Sequence, residues 1–152
     1  MVRHTTEYRI LFRDIDSMGV LYYGRYLHLF ELGRTEWLRE EGLRYRDMQD
    51  EEGCMLPVTI AECRYLAPLR YDSLARIETT LHGWSSATIG FRHEVRDGES
   101  GVLCATGMVE VGCCRIADWR PTRLPAPYRE LLARIAPELR HRRIPRAVLE
   151  SE

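Results

Sequence analysis

The chain contains no lysine and no asparagine, and all 22 of its basic residues are arginine. GC-rich coding produces such a bias, and it carries no functional reading of its own. Neither sign of charge is in excess: 22 basic against 23 acidic residues give a formal net charge of −1. A general nucleic-acid binder needs a strongly basic domain, so that class is set aside, while a local basic patch stays compatible. Long hydrophobic runs are missing, which argues against a bilayer-spanning helix. The N-terminal stretch MVRHTTEYRILFRD is charged throughout and lacks an apolar signal core, so a cytoplasmic location is expected. The cysteines Cys54, Cys63, Cys104, Cys113 and Cys114 are odd in number, two are adjacent, and no C-x-x-C occurs. Reduced, buried thiols fit this better than a disulfide framework or a zinc site. No His/Asp/Glu grouping has metal-ligand spacing, so no metal is expected. Internal repeats and low-complexity stretches are also lacking.

What is present is one domain's length of patterned sequence, 152 residues with 45% hydrophobic content. Residues 6–14 alternate, with Tyr8, Ile10 and Phe12 on one face, which predicts a half-buried strand. Asp16-Ser17-Met18-Gly19 then breaks the pattern. Over 23–41 the spacing predicts a helix, with Tyr26, Leu29, Phe30, Gly33 and Trp37 on one face. Gly33 costs about 1 kcal/mol against alanine in a helix interior, and its place on that face suggests close approach of another element. Gly42 is a plausible stop, and the acidic stretch 47–53 reads as a solvated loop.

The remainder is strand-rich. Residues 55–66 look extended, with Val58 and Ile60 in phase and a shift to Cys63 and Tyr65 that suggests a bulge. Residues 73–81 place Ala75, Ile77, Thr79 and Leu81 on one side; 82–86 supply a turn. Residues 87–96 alternate through Ala87, Ile89, Phe91, His93 and Val95. A hairpin link at 96–101 leads into a last long strand over 102–116, and a short helix follows at about 127–135. Strand, long helix, then four antiparallel strands is an α+β order.

The segment RDIDSMGVLYYGRYLHLFELGRTEWLREEG, residues 13–42, resembles the 4-hydroxybenzoyl-CoA thioesterase family, including its Tol–Pal-associated members. The shared pattern is D-x-D (Asp14-Ile15-Asp16), a turn with Gly19, and aromatic residues Tyr22-Tyr23 entering a long helix. Residues 57–84 and 91–95 resemble the family's following strands, in order. The resemblance implies a hotdog fold, an antiparallel sheet of about five strands wrapped around one long helix. Residues 1–138 would form that domain and 139–152 an Arg-rich C-terminal tail. It also implies a homodimer or homotetramer with active sites between subunits. The implied activity is hydrolysis of an acyl-CoA, aromatic or short to medium aliphatic, to the free acid and CoA, without a cofactor.

By position, Asp16 matches the family's catalytic aspartate. A carboxylate can attack the thioester carbonyl directly, giving a mixed anhydride, or activate a water. The resemblance makes the Tyr23 backbone N–H the donor to the thioester oxygen, aided by the helix N-terminus. Loss of such a donor costs about 3–4 kcal/mol. Against this stands the ordinary role of an aspartate before a helix, as a cap or turn former. Asp14 reads as structural, orienting the loop. The Tol–Pal-associated relatives carry histidine where Tyr23 stands; a backbone donor is indifferent to that change, whereas a side-chain acid–base role is not. Gly19, Tyr22 and Arg92 are the further substrate-binding candidates.

Other groups have plainer readings. Glu31 and Arg34 are spaced for an i,i+3 ion pair, although another hotdog lineage uses a helix glutamate as its carboxylate. His93, alternating with apolar neighbours, reads as a satisfied buried histidine, and His28 as helical and partly exposed. The charge run 140–146, RHRRIPR, is solvated by default; it is also a candidate contact for CoA phosphates or for an acidic partner such as acyl carrier protein. In the hydroxybenzoyl-CoA relatives, three basic residues after the middle-strand tryptophan help bind the nucleotide phosphates. Here that run is Ser85-Ser86-Ala87. Either arginines elsewhere replace it, with Arg92 and the tail as candidates, or binding leans on the pantetheine arm and acyl group, which is the reading the sequence favours. Two other functions use the same fold: a non-catalytic acyl-CoA or acyl-carrier-protein binding module, and a hotdog dehydratase, which needs a histidine paired with a carboxylate.

Overall fold

Burial follows the alternation of the central strands closely. In a computed structural model that describes residues 2–145, Ala75, Ile77, Thr79 and Leu81 of one strand and Ile89, Phe91, His93 and Val95 of the next all face inward and are buried. The strands are β1 (Arg3–Arg9), β2 (Cys54–Met55), β3 (Val58–Tyr65), β4 (Leu74–Trp84), β5 (Thr88–Asp97), β6 (Leu103–Gly112) and β7 (Cys114–Arg115). The helices are α1 (Arg25–Glu40), α2 (Tyr45–Glu52) and α3 (Ala126–Ile135). Five strands form one antiparallel sheet in the order β1-β4-β5-β6-β3, and β2 pairs with β7 in a small separate ribbon. None of the described helices is long and apolar enough to cross a membrane.

The main core lies between α1 and the inner face of the sheet. Tyr26, Leu29, Phe30, Gly33 and Trp37 are buried, as their spacing predicts, together with Leu38. Close approach is enforced at Gly33. A Cβ there would overlap the Thr79 hydroxyl and sit 2.9 Å from Ile77 Cγ2. Beside it, His93 stacks on Phe30 with ring centroids 4.8 Å apart, and its Nδ1 lies 3.0 Å from Thr79 Oγ1. His93 Nε2 is buried and has no partner among the described residues, so the histidine is buried as expected but satisfied at one nitrogen only.

Several expectations need correction. The acidic stretch 47–53 is not a loop: residues 45–52 form α2, with Met48 buried, Tyr45 packed against the core, and Gly53 at φ 62° as the left-handed stop. Its acidic residues occupy the solvent side of a short amphipathic helix, which a charge run conceals. Among the described residues α1 is therefore the longest of three α-helices rather than a single main one. The first strand ends at Arg9, and Phe12 is 82% exposed, because Phe12–Asp14 turns as a 3-10 helix that carries Asp14 inward. The irregularity in β3 falls between Val58 and Ile60, ahead of the expected place. β4 continues to Trp84 with a register shift after Leu81; the turn begins at Ser85, whose Oγ accepts from the N–H groups of Ala87 and Thr88. The last long strand breaks at Cys113, where β7 departs to join β2. No Glu31–Arg34 ion pair within 4 Å forms among the described residues; Arg34 is half-buried, and burial holds its pKa below the ordinary value.

Residues 139–145 also pack against the body: Leu139 and Ile144 are buried, and the His141 N–H donates to Trp84 O at 2.6 Å. Arg146 and the rest of the 139–152 tail lie outside the described residues.

Two measurements check this core. Gly33→Ala gains about 1 kcal/mol of helix propensity, yet overlap with Thr79 costs about 1–3 kcal/mol and should outweigh it, giving a net loss of up to about 2 kcal/mol in urea unfolding. Burial lowers the His93 pKa from 6.5 to about 3. The unfolded chain then binds a proton that the folded one refuses, so stability falls as pH drops below about 6.5 towards 3. A folded His93→Gln variant should lose less stability between pH 7 and pH 5 than the parent does.

Candidate active site

Asp14 anchors the segment that joins β1 to α1. Its side chain is 2% exposed, and Oδ2 accepts from the Tyr8 hydroxyl at 2.8 Å and from the Leu11 N–H at 2.8 Å. Arg25 Nε, in the first turn of α1, lies 3.6 Å from Oδ1. The Asp14 carbonyl accepts from the Tyr22 N–H at 2.9 Å. The aspartate thus ties together the end of β1, the loop and the start of α1, which is the orienting role expected of it.

Two residues on, the chain turns back on itself. Asp16 N–H donates to Val20 O at 3.0 Å, and Gly19 N–H donates to Asp16 O at 3.0 Å. Gly19 stands at φ 76°, a left-handed conformation that glycine adopts freely. Asp16 Oδ1 accepts from the Met18 N–H at 2.8 Å, a local turn bond. Among the described residues Oδ2 has no partner. Asp16 therefore fills the ordinary turn-forming role with one oxygen and keeps the other available.

Asp16 and Tyr23 line the same cavity, of about 330 Å³. Its walls are otherwise apolar or aromatic and include Leu21, Tyr26, Tyr65 and Leu66. The Tyr23 N–H has no acceptor among the described residues. Just beyond it, Gly24 precedes α1 as its N-cap residue, with no side-chain cap and no acidic residue in the first turn. The Arg25 N–H donates to Tyr22 O at 2.9 Å, and the positive end of the helix dipole is left for a ligand. The Tyr65 hydroxyl donates to the Tyr23 carbonyl at 2.9 Å, fixing that peptide from the opposite side of the cavity. Burial pushes the Tyr26 and Tyr65 hydroxyls up to about 12, so both stay protonated at neutral pH.

The other candidates stand elsewhere. Gly19 shapes the turn, and Tyr22 stacks tilted on Tyr23 with centroids 4.6 Å apart, outside the cavity lining. Arg92 lies on the outer face of the sheet, paired with Glu94 at 3.0 Å, and does not share the Asp16 cavity. Glu31, with Arg34, borders a separate depression of about 320 Å³ beside β3. Tyr26, Tyr65 and residues 66–68 were not site candidates from the sequence; Tyr26 reads there as a core position, and 65–68 reach the site only through the sheet.

The chain is similar in sequence and fold to known proteins. A profile of the thioesterase-like superfamily matches residues 10–140. The acyl-CoA thioesterase YbgC of Haemophilus influenzae is 30% identical over 117 residues, which cover 77% of this chain and 85% of that protein. The structure of a DHNA-CoA thioesterase from Staphylococcus aureus superposes with a TM-score of 0.78 at 28% identity, covering 91% of this chain and 86% of the other. An aspartate mutant of 4-hydroxybenzoyl CoA thioesterase, complexed with 4-hydroxybenzoyl CoA, gives a TM-score of 0.77 at 23% identity, over 85% of this chain and 97% of the other; at that identity it speaks to the fold alone.

Proposed function

The chain belongs to the thioesterase-like superfamily, and on that premise we propose that it is an acyl-CoA thioesterase with Asp16 as its catalytic carboxylate. The observation that carries the assignment is a carboxylate with a free oxygen in the same apolar cavity as an unpaired backbone N–H at an uncapped helix N-terminus. The thioester carbonyl oxygen would accept from the Tyr23 N–H, which stabilises the charge that builds on it. Asp16 then either attacks the carbonyl carbon, releasing the CoA thiolate and leaving a mixed anhydride that water cleaves, or draws a proton from an attacking water. The apolar walls would hold the acyl group. The same cavity contains no histidine, which counts against the dehydratase reading. The binding-module reading differs from the enzyme in one respect, the absence of turnover.

The site also points to assembly. Of the two sheet edges, β1 alternates charged residues, with Arg3 and Glu7 facing Glu78 and Arg76 across the strand pair. β3 differs: Val58, Tyr65 and the adjoining Leu66 are exposed, and half-buried Arg34 beside it has no acidic partner among the described residues. An open edge with exposed apolar groups is a pairing surface. We read β3 as the homodimer edge, with a tetramer built on that dimer in a cytoplasmic enzyme.

The first test is a panel of aromatic and aliphatic acyl-CoAs read with a thiol reagent. The expected result is turnover that Asp16→Asn lowers by at least about a hundredfold in a folded protein. Asp14→Asn should reduce activity less while costing more stability, since Asp14 is the buried carboxylate. A folded Asp16→Asn enzyme with full activity, or tight binding of acyl-CoA without turnover by the parent, would refute the assignment. The second is light scattering at micromolar concentration, expected to give a dimer or larger; a stable, active monomer would refute the edge reading, and Ala61→Pro within β3 should shift a dimer towards monomer.

A further inference from the structure

The outer face of the sheet, opposite α1, carries a groove that the reaction at Asp16 does not use. β3 supplies Arg64 and Glu62, β4 His82, β5 Arg92, and the segment after Leu139 supplies Arg142; residues 106–108 of β6 form the floor, around a volume of about 300 Å³. Three arginines there face one lining carboxylate. Arg92 is partly engaged by Glu94 at 3.0 Å, whereas Arg64 and Arg142 make no ion pair among the described residues. Burial, then Arg142, lowers the His82 pKa, so the positive charge near neutrality comes from the guanidinium groups.

The position of Arg142 is built into the fold. Residue 140 forms a parallel bridge with Trp84, its guanidinium lies 5.5 Å from the Trp84 ring centroid, and the His141 N–H donates to Trp84 O. Gly83 and Gly90 are cross-strand partners. A Cβ at Gly83 would overlap the Arg142 carbonyl, and one at Gly90 would meet buried Ile144 at 3.4 Å. The two glycines thus open the sheet surface to receive 142–144, which sets Arg142 at the rim of the groove.

Guanidinium groups converging from separate elements, with unused donors, match an anion with several oxygens. The groove is too polar for an acyl chain, and its volume suits a mononucleotide rather than a whole CoA. We propose that this outer-face groove is a binding site for a phosphorylated, nucleotide-sized ligand, held by Arg64, Arg92 and Arg142. That the phosphates are those of the thioester substrate itself would rest on the function proposed above; the anion site does not.

The test titrates the whole protein calorimetrically with adenosine 3′,5′-bisphosphate and with pyrophosphate. Saturable binding is expected, weakened at least about tenfold, or ~1.4 kcal/mol, by Arg64→Gln and by Arg142→Gln, and weakened by added salt. Gly83→Val keeps every charge in the chain but displaces the Arg142 segment, and it should weaken binding in the same way while circular dichroism reports an intact fold. Kinetics with an acyl-CoA and its acyl-pantetheine counterpart distinguish the sources. A KM that rises in the arginine variants for acyl-CoA alone identifies the substrate's nucleotide; a KM unchanged for both, with arginine-dependent binding of the bisphosphate, identifies a separate phosphorylated ligand. Either result supports the site. No saturable binding of either probe, or binding that survives Arg64→Gln/Arg142→Gln, overturns it, whether or not the protein cleaves thioesters.

Discussion

A buried carboxylate is expensive unless hydrogen bonds and a counter-charge replace the water it loses. Asp14 receives both, from the Tyr8 hydroxyl, the Leu11 N–H and Arg25. Each partner belongs to a different piece of the chain, so satisfying one ion fixes the relative positions of β1, the loop and the first turn of α1. Everything at the candidate site is downstream of that constraint. The Asp14 carbonyl holds the Tyr22 N–H, which leaves the next N–H, that of Tyr23, without a local acceptor. The tight turn at 16–20 is pinned at its far end by Leu21 N–H donating to Leu69 O at 2.7 Å. The candidate groups sit on a loop, yet the loop is tied by backbone hydrogen bonds at both ends.

The helix–sheet contact makes a second constraint, and it is steric. Without a side chain at Gly33, α1 settles onto Thr79 and Ile77. The same closeness occurs at Gly107, where a Cβ would overlap the Phe30 ring. The helix axis is therefore set by two glycines, one on each partner, and the N-terminus of α1 is carried to its place over the cavity. A shift of the helix by one methyl group would displace the Tyr23 N–H from Asp16 by a comparable distance, and errors of that size would weaken the proposed chemistry strongly.

Much of this was legible in the sequence, for identifiable reasons. The inward sets of β4 and β5 and the buried face of α1 follow simple periods, 2 and 3.6, and the chain obeys them. The D-x-D spacing by itself could not separate the two aspartates: an extended chain brings alternate residues to one side, and only the 3-10 turn at Phe12–Asp14 buries Asp14 while the turn after Asp16 leaves that residue half-buried. Where reading failed, a local pattern was overruled by a tertiary demand. Phe12 continued the alternation of β1, but burying Asp14 required the chain to turn, and Phe12 was left in solvent. DMQDEEG looked like a loop because its charges dominate, although Met48 and Tyr45 anchor α2. Arg92 and the tail were phosphate candidates from the sequence, but Arg64 and His82 were not, and the four segments meet only when the sheet assembles. No spacing rule could have gathered them.

The two faces of the sheet thus serve different chemistry. The inner face is spent on α1 and leaves only its margin, at Tyr65 and Leu66, to border the Asp16 cavity. That margin is the end of β3, which is also the unpaired edge bearing exposed Val58. A cavity with one wall on an open edge is exposed to water on that side, and water weakens both the carbonyl–N–H contact and the apolar hold on an acyl group. Covering the edge with a second sheet would correct both defects at once. On the proposed function, assembly and catalysis become a single requirement: the open edge strand and the candidate cavity's open side are the same piece of backbone.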